Sequence, residues 1–133
     1  MFLTRECDYG VRTIRALACG EKKTVKTICE MEEIPDQYAY KILKKLEHAK
    51  LVQGIRGRDG GYQLVKPLNQ ITLLDIVSAI DDGLLLNACL KEGHVCTRNP
   101  EDKPCSVHIE LERVQDVLVA EIKSTTMQKL IEG

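Results

Sequence analysis

Four residues near the end of the chain have the types and spacing of a soft-metal site: Cys89, Cys96, Cys105 and His108 fall within twenty residues. Thiolates with an imidazole form the ligand sets of zinc and iron–sulfur sites. The segment that carries them, 84–104, has few apolar residues. Burial alone does not organise such a stretch, so a bound group is the expected organiser. The cysteines follow a Cys-x6-Cys-x8-Cys spacing, which suits a loop wrapped around a ligand. His94, between the cysteines, is a further donor, and His48 falls on a helix elsewhere and is assigned no metal role. Of the other cysteines, Cys19 and Cys29 are expected as small buried hydrophobes, whereas Cys7, beside Asp8, is left open as a neighbour of the metal site.

The 133 residues, 44% hydrophobic and 29% charged, suit one soluble globular domain. No apolar run approaches a membrane span, and the first residues lack the apolar stretch of a signal peptide. A cytoplasmic protein is expected. Thiols stay reduced there, so six cysteines point to metal or redox chemistry and away from a disulfide scaffold. The net charge of −1 conceals an asymmetry. Residues 1–66 carry 13 Lys/Arg against 9 Asp/Glu, residues 67–133 carry 6 against 11, and within 41–66 the count is 7 basic to 2 acidic. Basic charge is thus concentrated where a nucleic acid could meet it.

The elements that must position these residues are legible. Thr4 caps a first helix with Glu6 and Asp8 in its first turn, and Tyr9, Val11, Ile14, Leu17 and Ala18 give it an apolar stripe. Gly20 ends it. Thr24 caps a second helix over 25–32. A third runs over 35–49, with Tyr38, Ile42, Leu43 and Leu46 inward and Gln37, Tyr40, Lys41, Lys44, Lys45 and His48 outward. The period then changes to two: 51–55 and 61–65 read as strands joined by a glycine-rich turn. A helix over 72–81 follows, then the cysteine segment, then one long helix over 106–131. In that helix Val107, Leu111, Val114, Leu118 and Ile122 recur at four, three, four and four residues. One small domain cannot bury this stripe fully, so a homodimer is expected.

Two helices, a basic third helix and a basic-tipped hairpin occur in the order of a winged helix-turn-helix. The fold class is mostly α with a small β-hairpin. A major groove accepts one α-helix. Gln37, Tyr40 and Lys41 lie on the outer face of the third helix's first half, where base contacts arise, and Lys44 and Lys45 further along suit phosphates. At the hairpin tip Arg56 and Arg58 suit a narrow minor groove, and Asp59 serves to shape the turn.

With these residues in view the chain resembles a family. Leu3-Thr4, Asp8-Tyr9-Gly10-Val11-Arg12, Tyr38 with Ile42-Leu43-Lys44-Lys45-Leu46, Arg56-Gly57-Arg58-Asp59-Gly60-Gly61-Tyr62 with Leu64, and Ile71-Thr72-Leu73-Leu74-Asp75-Ile76-Val77 are similar to the bacterial winged-helix regulators that include IscR, NsrR and CymR. The resemblance spans essentially the whole chain. It implies a dimeric repressor or activator on a partly palindromic DNA operator. The third helix would read the major groove, and Arg56 would enter the minor groove. It divides the chain into a winged domain with its following helix (1–82), a cluster-binding loop (83–105) and a dimerisation helix (106–133).

Some branches of that family carry an iron–sulfur cluster in this loop, and the loop here is longer than theirs. The histidine three residues after Cys105 matches the IscR pattern and implies a 2Fe–2S cluster ligated by Cys89, Cys96, Cys105 and His108. Asp8 matches the position at which NsrR-like members offer an acid from the other subunit, implying a 4Fe–4S cluster. Both remain open, as does a cluster-free regulator of the same fold that uses zinc or thiol oxidation at the three cysteines. An iron–sulfur redox enzyme or electron carrier is remote, because no nucleotide loop or nucleophile–base pair is evident. The expected function is a DNA-binding regulator, acting as a repressor, whose affinity follows the redox, nitric oxide or iron–sulfur status of the cluster.

Overall fold

The computed structural model describes residues 3–81 and 84–133. Helix α1 (Arg5–Ala16) starts where Thr4 Oγ1 accepts the Cys7 amide at 3.2 Å, with Glu6 and Asp8 favourably placed at the positive end of its dipole. Helix α2 (Val25–Glu32) is capped in the same way by Thr24 and ends at Glu33, whose φ is 53°. Helix α3 (Asp36–His48) follows Pro35, whose fixed φ suits the residue before a helix. Ile14, Leu17, Ile28, Ile42, Leu43, Leu46 and Ile76 are fully enclosed where α1, α2, α3 and α4 (Leu73–Ile80) meet. Each such side chain contributes roughly 1.5–3 kcal/mol. Tyr9 and Tyr38 close one side of this core, with ring centroids 5.2 Å apart.

Strands β1 (Val52–Ile55) and β2 (Gly61–Leu64) form an antiparallel hairpin in which Val52 faces Leu64 and Ile55 faces Gly61. The turn-proximal end of β2 is fastened to the α1–α2 link. Lys23 N–H donates to the Tyr62 carbonyl at 2.9 Å, and Tyr62 N–H donates to the Lys23 carbonyl at 2.8 Å. Gly61 permits this approach, since a Cβ there would lie 2.7 Å from the Lys23 carbonyl carbon. Helix α4 begins with a reciprocal capping box between Thr72 and Asp75.

The final helix departs from expectation. It is not continuous over 106–131 but divides into α5 (Ser106–Lys123) and α6 (Met127–Glu132). Three consecutive hydroxyl residues separate them, a composition that favours caps over helix interiors. Ser124 Oγ donates to the Glu121 carbonyl, Thr126 is extended and caps α6, and Met127 N–H donates to the Ile71 carbonyl at 2.6 Å. The break lets Met127 enter the core, where it is 2% exposed. The periodic stripe also divides. Leu118 and Ile122, with Val119, pack against the core, while Val107 (63% exposed), Ile109, Val114 and Val117 (59%) find no cover within the chain. No α5 residue is fully buried.

The 82/83 division between winged domain and loop lies outside the described residues. No described helix is long and apolar enough to cross a membrane.

Candidate nucleic-acid interface and cysteine site

Helix α3 turns Ala39, Ile42, Leu43 and Leu46 inward. That leaves Gln37, Tyr40, Lys41 and Lys44 exposed on its outer face. Tyr40 and Lys44 share a cleft of about 750 Å3 with Arg56 on the hairpin and with Thr24 and Lys26 at the start of α2. The hairpin is held at this angle by Glu47, whose carboxylate accepts the Gly54 amide at 2.6 Å. Gly57 has a φ of 116°, a conformation that glycine alone adopts readily, and its carbonyl accepts the Gly60 amide to close the tip. Arg56 and Arg58 are both exposed beside it. Gln37, Lys41 and Arg58 lie outside the cleft lining. Lys26 was not singled out from the sequence. Its signal is its place in the first turn of the helix that, in helix-turn-helix proteins, crosses the DNA backbone.

Two lysines of α3 are engaged within the protein. Lys41 Nζ donates to Glu6 Oε1 at 2.7 Å. Lys45 Nζ donates to Glu6 Oε2 at 3.3 Å and to the Ile80 carbonyl at 2.9 Å. The Lys41 hydrogen bond, aided by Lys45, holds the Glu6 carboxyl below the usual carboxylate range. Lys45, expected alongside Lys44 as a phosphate contact, is instead half-buried and ties α3 to the C-terminal end of α4.

The cysteine segment has little packing of its own: one short helical turn at Ala88–Leu90, isolated turns closed by the His94, Asn99 and Lys103 amides, and a single buried anchor, Leu84. Leu86 N–H donates to Gln115 Oε1 of α5, and Cys105 N–H donates to Asn99 Oδ1. Between segment and helix lies a cavity of about 330 Å3 lined by Cys89, His94, Cys96 and His108, together with Glu112 and Asp116. His108 Nδ1 is buried with no hydrogen-bond partner, a costly state for an imidazole nitrogen unless something binds it. Cys105, immediately before α5, does not line this cavity. Among the described residues, no three Cys, His, Asp or Glu side chains are close enough to hold one metal ion. The donor chemistry of Cys89, Cys96 and His108 fits a thiophilic group.

Asp8 lies elsewhere. It pairs with Arg12 at 3.0 Å and sits at the rim of an apolar groove lined by Leu3, Val11, Leu73, Leu118 and Ile122. Cys7 is buried against Asp81, its Sγ 3.2 Å from Oδ2. Burial, then that carboxylate, push its thiol pKa up. Cys29 is buried as expected. Cys19 is not: it is exposed, with Lys23 Nζ 3.0 Å from its Sγ, which pulls its pKa down. The α1 stripe ends at Leu17, so Cys19 falls beyond the buried face.

A three-helix core with a basic outer helix, a hairpin anchored beside it and a long helix projecting with unmatched apolar residues defines a winged-helix transcription regulator. The family model described as Rrf2, iron-dependent transcriptional regulator, matches residues 3–133. The chain belongs to this family of DNA-binding regulators and is not an enzyme. Among curated relatives, protein aau3 of Rhizobium meliloti (strain 1021) is 28% identical over 100% of this chain and 86% of its own. The crystal structure of Staphylococcus aureus CymR in its oxidized form is similar, with a TM-score of 0.73 and 26% identity over 100% of this chain and 98% of that one. T. potens IscR also has a TM-score of 0.73, with 23% identity over 99% of this chain and 87% of that one, and so supports the fold.

Proposed function

We propose that this chain is a homodimeric, cytoplasmic repressor whose operator affinity is set by an iron–sulfur cluster. Helix α3 enters the major groove with Gln37, Tyr40, Lys41 and Lys44, while Arg56 and Arg58 at the hairpin tip reach the adjacent minor groove. The observation that carries this reading is the shared cleft of Tyr40, Lys44 and Arg56, which puts helix and hairpin on one surface. The exposed residues Val107, Val114 and Val117 of α5 support a second copy as their cover. In this organisation, residues up to 82 bind DNA, 83–105 hold the cluster, and 106–133 mediate dimerisation through α5.

Cys89, Cys96, Cys105 and His108 are the proposed cluster ligands. The buried, unpartnered His108 Nδ1 facing a cavity with Cys89 and Cys96 supports His108 in the fourth place and hence a 2Fe–2S cluster. Asp8 of a partner subunit is the alternative, with a 4Fe–4S cluster. When bound, the group would supply a redox- and nitric-oxide-sensitive centre joining Cys89 and Cys96 of the segment to His108 on α5. A second reading is favoured by the likeness to a CymR structure in its oxidized form: the same three thiols would answer to oxidation or to zinc with no cluster.

Anaerobic reconstitution with iron and sulfide, followed by visible absorption and electron paramagnetic resonance spectroscopy, tests the cluster. A spectrum altered by His108→Ala and not by Asp8→Ala supports the histidine-ligated form, and the reverse supports the acid. Zinc retention without iron–sulfur bands supports the second reading. Equal DNA affinity in loaded and apo protein would refute cluster control.

A further inference from the structure

Glu6 occupies a place that the DNA reading does not explain. It is an acid on α1 whose carboxylate grips two cations of the helix that would enter the groove. Lys41 Nζ is 2.7 Å from one oxygen and Lys45 Nζ 3.3 Å from the other. Lys44, between them in sequence, enters no salt bridge among the described residues.

The two gripped lysines are not equivalent. Lys45 is half-buried and has a second acceptor, the Ile80 carbonyl at 2.9 Å. It remains tied when a duplex arrives. Lys41 is 57% exposed, and Glu6 is its only ion-pair partner among the described residues. A phosphate can therefore compete for Lys41 and not for Lys45.

We propose that Glu6 is a positioning residue that restrains DNA affinity by holding Lys41 in competition with the phosphate backbone. The inference rests on α3 being the helix that faces DNA. The three-residue group carries two positive charges and one negative, so one unit of attraction is cancelled at the protein–DNA surface. The grip also reaches the root of the cysteine segment, because Ile80 is the last residue of α4 and Asp81 beside it accepts from Thr4 and Cys7. Movement of that root would alter how Glu6 divides between its two lysines.

The test is fluorescence anisotropy with a labelled random-sequence duplex over a salt series, using the intact chain. Non-specific binding reports phosphate contacts directly. Glu6→Gln is expected to bind about fivefold more tightly near 0.1 M salt, with a log–log salt slope steeper by about one. That gain should vanish in a Lys41→Gln background and persist in Lys44→Gln. A purely structural role for Glu6 would change the melting temperature without steepening the slope. If Glu6→Gln does not fold, Glu6→Asp, too short to span both lysines, is expected to show a smaller gain of the same sign. An unchanged slope, or a gain that survives Lys41→Gln, overturns the inference. Failure of the wild-type protein to bind any duplex at low salt overturns the DNA reading itself, and this inference with it.

Discussion

Gly61→Ala should unfasten the hairpin from the α1–α2 link. The position combines two demands. It begins β2 opposite Ile55, and it lies against the Lys23 peptide. An added methyl would meet the Lys23 carbonyl oxygen and stand 2.7 Å from its carbon and 3.1 Å from the Thr24 nitrogen, all backbone atoms with no rotamer to yield. Relief requires that the α1–α2 link withdraw. This breaks the paired Lys23–Tyr62 hydrogen bonds of 2.9 and 2.8 Å. At about 0.5–1.5 kcal/mol net for each bond, the loss is about 1–3 kcal/mol, with residual strain added to it. Urea denaturation of wild type and variant measures the difference. Amide hydrogen exchange localises it: Tyr62 and Lys23 should lose protection while Ile42 and Leu43 in α3 retain theirs. On the proposed DNA reading affinity should fall as well, because the Glu47–Gly54 hydrogen bond would then hold Arg56 and Arg58 beside α3 without the support of the Lys23 peptide. A variant that melts like wild type with the Tyr62 amide still protected would show that the Lys23 peptide does not hold β2.

Met127→Ala should cost about 2–4 kcal/mol in a urea melt, since a 2% exposed side chain leaves a cavity beneath the start of α4. Stability should also respond to Glu6 in acid. Its folded carboxyl titrates below the reference value of 4.5, so its stabilisation is full above that pH and is lost as pH falls through the folded value. The urea midpoint of the wild type should therefore drop more steeply below about pH 5 than that of Glu6→Gln, and parallel curves would contradict the ion pair. Iodoacetamide at neutral pH should label Cys19 well before Cys7 and Cys29, because Lys23 favours its thiolate while burial disfavours theirs. Peptide mass spectrometry over a time course resolves the order.

The sequence was most informative where the signal was local. Thr4 and Thr24 each precede an apolar-periodic run, and each caps the helix expected of it, while Thr72, expected as the first residue of its helix, is its cap. The change from a 3.6 to a 2 period after residue 50 located both strands to within a residue. Signals failed where a distant contact decided the outcome. The expected helix runs through Ser124-Thr125-Thr126; the hydroxyl triplet and its Thr126 cap are a local hint of a break, and the Ile71 carbonyl, more than fifty residues away, takes the Met127 amide and fixes it there. Lys45 looks like Lys44 in a helical projection, but the end of α4 claims it. Cys19 and Cys29 look alike as helical cysteines, yet one lies past the end of its helix. For the cysteine segment, spacing indicates what the thiols could bind and not where each thiol lies: Cys89 and Cys96 share a cavity with His108, while Cys105 does not line it.

The placement of that segment constrains how a change in it could reach α3. One end leaves from Ile80–Asp81, and the other enters α5 at Ser106. At the first end, contact with α3 is direct, through the Ile80 carbonyl and Lys45. At the second it is indirect: Leu118 and Ile122, more than two turns beyond His108, pack on the core that α4 shares with α1. These two routes differ in what they could change. A shift of α5 would reorient whole domains in a dimer and alter half-site spacing, which acts on specific operators and leaves non-specific binding nearly untouched. A shift at Ile80 would redistribute Glu6 between Lys41 and Lys45 and alter phosphate attraction on any sequence. Comparing operator and random-sequence affinities in the loaded and apo states separates them. A change confined to the operator identifies the α5 route, and an equal change on both identifies the Ile80 route.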